Sequence, residues 1–143
     1  MARFEIDDFH RTALDAMDPQ TMREIRKKVL WAGAKVLEKE TKMAIESHHH
    51  VISGDMMRSV AQTAVHEDID GTWVEVYPQG TDSRGVVNEM KNKIINTGYY
   101  NKATGWRINH KDPYVKDMRE RVTPRILAVM EKQFELCMED LNK

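Results

Sequence analysis

Residues His50–Val60 read HVISGDMMRSV and separate a long helical pattern from a pattern of strands. Two β-branched residues and then Gly54 disfavour continuation of the helix beyond this point. The following residues predict a short helical turn, Asp55–Ser59, which leads into an extended run, Val60–Glu67. This segment therefore marks the place where a helix stops and a sheet begins.

A long amphipathic helix is predicted before this segment. Asp18 as the N-cap and Pro19 at the first helical position open it, and it runs to about Ser47. Apolar residues trace two stripes along it, one from Met22 to Met43 and the other from Leu30 to Ile45. Two stripes predict burial on two sides. The sheet of the domain would cover one side, and another helix or a neighbouring subunit would cover the other.

Small residues lie at the middle of this helix, at Ala32, Gly33 and Ala34. They predict the close approach of a partner, because a mid-helix glycine otherwise costs about 1 kcal/mol. On the amino-terminal side, residues 3–16 predict a short helix. The whole chain, 1–143, is expected to form a single domain, with residues 1–18 as a loosely attached N-terminal segment.

A β-hairpin is predicted after the turn. Asp70-Gly71 is a strong signal for a two-residue hairpin turn. The run Thr72–Tyr77 then alternates, with its valines on one face, and Pro78 ends the strand.

A middle helix is predicted over Arg84–Thr97. Its apolar residues Val87, Met90 and Ile94 share one face, and Gly98 occupies the C′ position that ends the helix.

The remaining sequence predicts a second hairpin and a last helix. Tyr99–Ile108 forms a loop or hairpin with its turn around Lys102–Gly105. Asp112-Pro113 repeats the helix-opening signal of the first helix. Pro124, which follows a possible cap at Thr123, should kink or restart this helix.

These elements predict an α+β fold. It has a long N-terminal helix, a small antiparallel β-sheet built from hairpins, a middle helix, and a C-terminal helix packing on the sheet. A hydrophobic fraction of 41% and a charged fraction of 31% exclude intrinsic disorder. Cys137 is the only cysteine, which excludes an internal disulfide, and its helical spacing from Met130 and Phe134 predicts burial. No run approaches the roughly 18 apolar residues of a membrane span and no signal-peptide core is present, so we expect a cytoplasmic chain with no membrane partner.

Charge is unevenly distributed along the chain. The formal net charge is −1, so the overall charge of the protein does not favour binding to nucleic acid. The range Arg84–Arg125, however, holds ten Lys/Arg against four Asp/Glu, a local +6. This range is either a solvated face of mixed charge or a basic surface that docks an acidic partner or lies near DNA.

Three adjacent histidines, His48–His50, suggest a metal site, since imidazole binds zinc, copper and nickel. Successive side chains point in different directions, so the three cannot all face one ion, and His66 or His110 would have to help. The sequence holds no Cys-x-x-Cys or His-Glu-x-x-His motif. We therefore expect no functional metal site.

No catalytic constellation or cofactor loop is recognisable. The glycines fit neither the P-loop nor the dinucleotide fingerprint, and no serine or cysteine lies in a nucleophile elbow. We expect no enzyme activity and no cofactor.

An aromatic cluster near basic residues is the remaining candidate for binding. Its aromatic members are Tyr99, Tyr100 and Trp106, and the neighbouring cations are Lys102, Arg107 and Lys111. These residues could stack on single-stranded bases and grip phosphates. We favour packing on the sheet or a subunit contact, since interfaces are enriched in Tyr, Trp and Arg.

The order of elements resembles the phage minor tail/neck-component family of long-tailed phages, which is often prophage-encoded. In that family the long helix usually ends in Pro-x-x-Thr-Gly-x-Leu-x-x-Ser. Here the matching positions are Ser53 for Thr, Gly54 for Gly, Met56 for Leu and Ser59 for Ser, and the proline is missing at position 51. A later Glu-x-Gly-Thr element falls on residues 96–99, where only Gly98 is retained, and the family's Pro-Phe/Trp falls on residues 113–114.

The resemblance implies a structural virion protein, a neck or minor tail (tail-completion) subunit that assembles into a ring at the head–tail junction. It implies assembly in the bacterial cytoplasm, with identical subunits and head-closure or tail-terminator proteins as partners. The alternative is a nucleic-acid-binding or processing protein that uses the basic, aromatic-rich range 84–125. The candidate turn or contact residues are Ser53, Gly54, Met56, Met57, Arg58, Ser59, Gly98, Tyr99, Tyr100, Trp106 and Arg107. Among them, Met56 and Met57 would anchor the turn, and Arg58 would be free to contact a neighbour.

Overall fold

The computed structural model describes residues 2–5, 18–48, 50, 54–69, 71–100, 102–105, 107–108 and 111–141. Its helices and strands follow one another as β1 (Ala2–Glu5), α1 (Pro19–Ser47), α2 (Asp55–Arg58), β2 (Val60–Gln62), β3 (His66–Asp68), β4 (Gly71–Pro78), α3 (Asn88–Thr97), β5 (Tyr99–Tyr100), β6 (Arg107–Ile108) and α4 (Tyr114–Leu141). The predicted α+β class and its order of elements are confirmed.

Helix α1 begins and ends where the sequence predicts. The Asp18 carboxylate accepts hydrogen bonds from the Thr21 amide at 3.1 Å and the Thr21 hydroxyl at 3.3 Å, and Pro19 is the first helical residue. The helix ends at Ser47, and the His48 amide closes it on the Ala44 carbonyl at 3.0 Å. An aspartate cap satisfies amides that the helix itself leaves unpaired, which explains why this boundary could be predicted from the sequence.

The sheet is built around β4. Strand β1 pairs with one edge of β4, and β2 and β3 pair with it in succession, all antiparallel. Between the pairs Gln62–Val76 and His66–Trp73, three residues of the outer chain oppose two of β4, which is a β-bulge. Within the bulge, the Thr63 hydroxyl accepts a hydrogen bond from the Glu75 amide at 3.2 Å. The predicted extended run is therefore confirmed in two pieces that a bulge separates.

The first hairpin turns one residue earlier than predicted. Asp68 pairs with Gly71, so Gly71 is already in the strand and is not a turn residue. The Asp68 carboxylate accepts a hydrogen bond from the Gly71 amide at 3.1 Å. Gly71 has a φ of 153°, which residues with a side chain rarely adopt. Asp70 lies outside the described residues.

The start of the chain forms a strand. The helix predicted over residues 3–16 is wrong for residues 3–5, which lie in β1 and pair with Trp73–Val76 of β4. An open edge of β4 offers these residues hydrogen bonds that a local helical pattern cannot reveal. Residues 6–17 lie outside the described residues.

Helices α1 and α4 pack antiparallel along their lengths. Gly33 of α1 contacts Met130 and Ile126 of α4, whereas Glu40, two turns further along α1, contacts Arg125. A Cβ atom built on Gly33 would lie only 2.8 Å from the Met130 sulfur. The predicted close approach is therefore confirmed, and the partner is the C-terminal helix of the same chain. The opposite side of α1 lies on the sheet, where Val74 and Val76 belong to the core.

Helix α4 is one continuous helix. Its core-facing residues recur every four positions, at Tyr114, Met118, Val122, Ile126, Met130 and Phe134, and Cys137 continues them. Of the two predicted outcomes at Pro124, the restart is wrong, because burial of the flanking residues Val122 and Ile126 holds the helix together across the proline, and the kink stays a prediction. The Thr123 hydroxyl donates to the Arg119 carbonyl at 2.5 Å, so it does not cap a new helix. Cys137 is buried as predicted.

Helix α3 differs most from its prediction. It begins at Asn88, because the Asp82 carboxylate accepts the Arg84 and Val86 amides at 2.8 and 2.9 Å and holds those residues in a turn. The face that holds the apolar residues predicted for α3 is not its buried face, since Val87 and Met90 are about half exposed, at 47% and 50%.

The buried face of α3 is polar. It consists of Asn88 and Asn92. The Asn88 side chain donates to the Gln79 carbonyl at 3.0 Å, and the Tyr114 hydroxyl donates to the Asn92 side chain. Buried amides that find hydrogen-bond partners are tolerated inside, and this outweighs the hydrophobic pattern.

Candidate functional site

The turn Gly54–Ser59 connects α1 to the sheet. Gly54 is the buried N-cap of α2 with a φ of 82°, a left-handed conformation that favours glycine. Met56 is buried and Met57 packs against the core, so both anchor the turn as predicted. The Ser59 hydroxyl donates to the Met56 carbonyl at 2.7 Å, and the Ser59 carbonyl accepts the Gln79 amide at 3.0 Å. The turn is therefore fixed to the end of β4. Ser53 lies outside the described residues.

Arg58 is not free, contrary to the prediction. Its guanidinium forms an ion pair with Asp55 at 2.7 Å and folds back over Gly54, where an added Cβ would lie 2.6 Å from Nη1. The other carboxylate oxygen of Asp55 accepts from the Ser83 amide and hydroxyl at 3.4 and 3.3 Å. The charged groups of this turn thus serve local structure, although the Arg58 side chain remains 65% exposed.

The second hairpin forms as predicted. Gly98 ends α3 with a φ of 79°, and its amide donates to the Ile94 carbonyl at 2.8 Å. Tyr99 pairs with Ile108 and Tyr100 with Arg107. Lys102 lies in the exposed turn. Trp106 and the side chains of Tyr99, Tyr100 and Arg107 lie outside the described residues, so the clustering of the aromatic rings stays a prediction.

Part of the basic range lines a cleft between α3 and the start of α4. The cleft has a volume of about 260 Å³, and its rim includes Lys93, Lys116 and Arg119. Glu89 also lines it. Both Glu89 carboxylate oxygens are buried without a hydrogen-bond partner among the described residues, and this burial raises the pKa of the carboxyl group. The cleft therefore combines a cationic rim with a carboxyl group whose charged form is disfavoured by burial.

Among the described residues, exposed large apolar side chains occur on α1, α3 and α4; those on α1 are Trp31 and Met43, at 43% and 50%. On α4, Leu127 and Leu141 are 46% and 50% exposed, and they lie on the same side because about four helical turns separate them. We call them the α4 set. Val87 and Met90, at the start of α3, form the α3 set. Ile69 is fully exposed at the tip of the first hairpin.

Two of the three adjacent histidines converge on one carboxylate. His48 Nδ1 lies 2.7 Å and His50 Nε2 lies 2.8 Å from the same Asp112 oxygen. Both imidazoles also pack on the Tyr114 ring, with centroid distances of 5.8 and 5.3 Å. His66 does not join them, because it stacks on Trp73. His49 and His110 lie outside the described residues.

Sequence reasoning missed this cluster because Asp112 is 62 and 64 residues from the two histidines. The pair Asp112-Pro113 suggested only a helix start. The spacing of two residues between His48 and His50, which in an extended segment would place both side chains on one side, was the local signal.

The electrostatics of the cluster follow from these contacts. Desolvation alone would raise the pKa of Asp112, but the hydrogen bonds from His50 and His48 outweigh it and place the pKa below its ordinary value. Burial raises the pKa of the Tyr114 phenol, whose ring is completely enclosed. Asp112 is therefore a carboxylate anion that accepts hydrogen bonds from two imidazole nitrogens.

Comparison with protein-family models, with curated proteins and with solved structures gave no match. Within the described part of the chain, none of the helices has both the length and the apolar character needed to cross a membrane. The phage resemblance and the absence of enzyme activity stay predictions.

Proposed function

We propose that this chain is a structural virion protein, a neck or tail-completion subunit that forms a ring at the head–tail junction of a long-tailed phage. The observation that carries the proposal is the order of elements: a long helix, a Ser-Gly turn, a hairpin, a middle helix, a second hairpin and a C-terminal helix. The turn Gly54–Ser59 carries the best-matched family motif. Its role in connecting the long helix to the sheet supports the proposal.

The placement of exposed apolar residues also supports a ring. Subunits of a ring meet head to tail, so each subunit presents two different surfaces to its two neighbours. The α3 set and the α4 set lie on different helices of one chain, and each holds side chains near half exposure. We therefore assign the two sets to the two sides of a heterologous interface.

A mixing experiment tests this assignment. Met90→Glu places a charge in the α3 set, and Leu127→Glu places one in the α4 set; both positions are exposed, so both variants are expected to fold. Each variant alone keeps only one working surface and is expected to remain monomeric in sedimentation velocity. An equimolar mixture retains one complementary pair of surfaces and is expected to form heterodimers. Ile69→Glu, at a fully exposed apolar position, is the matched control and should associate like the unmodified chain.

The outcomes separate two kinds of assembly. Growth of the unmodified chain beyond dimers, with heterodimers in the mixture, supports a ring. A stable dimer formed through α1 would contradict it, because an isologous dimer uses one surface twice and leaves no open end. A mixture that stays monomeric while the unmodified chain associates would refute the assignment of the two sets.

The cationic rim of the cleft favours a second candidate function, nucleic-acid binding. Lys93, Lys116 and Arg119 line one cleft, and Lys102 lies exposed in the turn of the second hairpin. Such a surface would bind DNA mainly through phosphates and would release it as salt rises.

Fluorescence anisotropy with a short labelled DNA at low salt distinguishes the two functions. A DNA-binding protein should lose affinity when Lys93 and Lys116, which line the cleft, are changed to glutamate, and its binding should weaken steeply with salt. Lys132→Glu, outside the basic range, is the control. No change in anisotropy at low salt would remove this candidate.

A further inference from the structure

The convergence of His48 and His50 on Asp112 carries an inference that is independent of the proposed function. The two imidazole nitrogens and one carboxylate oxygen lie within 4.8 Å of one another. We propose that these three side chains bind a divalent transition-metal ion of the zinc class.

The donor set fits this class of ion. Two imidazole nitrogens and one carboxylate oxygen suit zinc, nickel or copper, whereas calcium and magnesium take oxygen ligands. Three protein ligands leave one tetrahedral position for water. The side chains of His48, His50 and Asp112 are 39%, 21% and 34% exposed, so an ion can enter from solvent.

The geometry needs only a small adjustment. With metal–ligand distances of about 2.1 Å, tetrahedral ligands lie about 3.4 Å apart. The two nitrogen–oxygen distances of 2.7 and 2.8 Å must therefore open by about 0.6–0.7 Å, and the two nitrogens, which lie within 4.8 Å of each other, must reach the same separation. Rotation of the partly exposed side chains supplies this movement. The proton that each of these nitrogens donates to Asp112 moves to the other nitrogen of its ring, because only an unprotonated nitrogen binds a metal.

The surrounding structure holds the ligands in place. The His50 amide donates to the Ile45 carbonyl at 3.0 Å, and the Asp112 amide donates to the Ile95 carbonyl at 2.8 Å. The buried Tyr114 ring supports both imidazoles from one side. Such support orients metal ligands before the ion arrives.

The ion would join two distant parts of the chain. His48 and His50 follow the end of α1, and Asp112 precedes the start of α4, so the site links the ends of the two longest helices. A ligand that binds the folded state alone stabilises it. Zinc is therefore expected to raise the melting temperature by several degrees.

Isothermal titration of chelator-treated protein with zinc chloride tests the site. We expect saturation at one zinc ion per chain. His48→Ala, the more exposed histidine, and Asp112→Asn, which keeps the side-chain shape, should each weaken binding at least tenfold and remove the zinc-dependent rise in melting temperature. The His66 ring stacks on Trp73, away from this cluster. His66→Ala should therefore change neither the affinity for zinc nor the zinc-dependent rise in melting temperature.

Two results would overturn the proposal. Binding that survives Asp112→Asn would belong to the histidine run alone. The absence of saturable binding would leave the cluster as a hydrogen-bonded contact, in which Asp112→Asn lowers stability equally with and without zinc. Cobalt substitution gives an independent readout, because intense visible absorption reports tetrahedral coordination, and this absorption should be lost in both ligand variants.

Discussion

Replacing Gly33 by alanine is expected to destabilise the chain, although alanine favours a helix more than glycine does. The added Cβ would lie 2.8 Å from the Met130 sulfur, 2.9 Å from Met130 Cγ and 3.2 Å from Ile126 Cγ2. Met130 is only 4% exposed, so its side chain has little room to move away. Overpacking of a filled core lowers the free energy of unfolding by about 1–3 kcal/mol, and the higher helix preference of alanine raises it by about 1 kcal/mol. The net loss of stability is expected to be about 1 kcal/mol.

The same substitution should become favourable once Met130 is shortened. Met130→Ala removes the two closest atoms and leaves only the Ile126 contact. In that background Gly33→Ala should gain up to about 1 kcal/mol, because the helix preference then outweighs the remaining contact with Ile126 at 3.2 Å. Met130→Ala by itself should cost about 2–5 kcal/mol, as for other large-to-small core changes.

Urea unfolding of the four chains measures this cycle. We expect a coupling of about 2 kcal/mol between the two positions, with a change of sign in the effect of Gly33→Ala. An equal effect in both backgrounds would refute it. Stabilisation of the unmodified chain by Gly33→Ala would show that α1 and α4 do not pack closely at this point.

Three further predictions concern other contacts. Arg125→Met removes the hydrogen-bonded partner of the buried Glu40 carboxylate and should cost about 2 kcal/mol in urea unfolding; no loss would mean that Glu40 is compensated elsewhere. Met56→Ala should cost about 2–4 kcal/mol, because Met56 is buried beneath the turn, and a loss below about 0.5 kcal/mol would show that the turn is not anchored there. The hydrogen bond from Lys91 lowers the pKa of Asp82 from 3.8 to about 2, so the stability from this pair is present above pH 3.8 and lost as the pH falls toward 2. Lys91→Met should flatten that part of the pH profile of the melting temperature, and an unchanged profile would contradict the assignment.

Local chemistry made several boundaries predictable. The bounds of α1 follow from an aspartate cap with an adjacent proline, and the end of α3 follows from Gly98, because both signals act over a few residues. The alternation of β4 also predicted which residues face the core, since Val74 and Val76 are buried. Such features depend on neighbours in sequence.

Features that depend on distant partners were missed. Strand β1 exists because β4 has an open edge, and α3 buries Asn88 and Asn92 because Gln79 and Tyr114 supply hydrogen bonds. The meeting of Asp112 with the histidines likewise needs α1 and α4 to lie antiparallel. No pattern within a short window contains this information.

The claim that this chain is a neck or tail-completion subunit has one direct test. Particles can be purified from the bacterium that carries the gene and labelled with gold-conjugated antibody against this chain. The predicted result is labelling at the head–tail junction, in phage particles whose structural genes lie next to the gene for this chain. Particles with heads and tails that carry none of this chain would contradict the proposal.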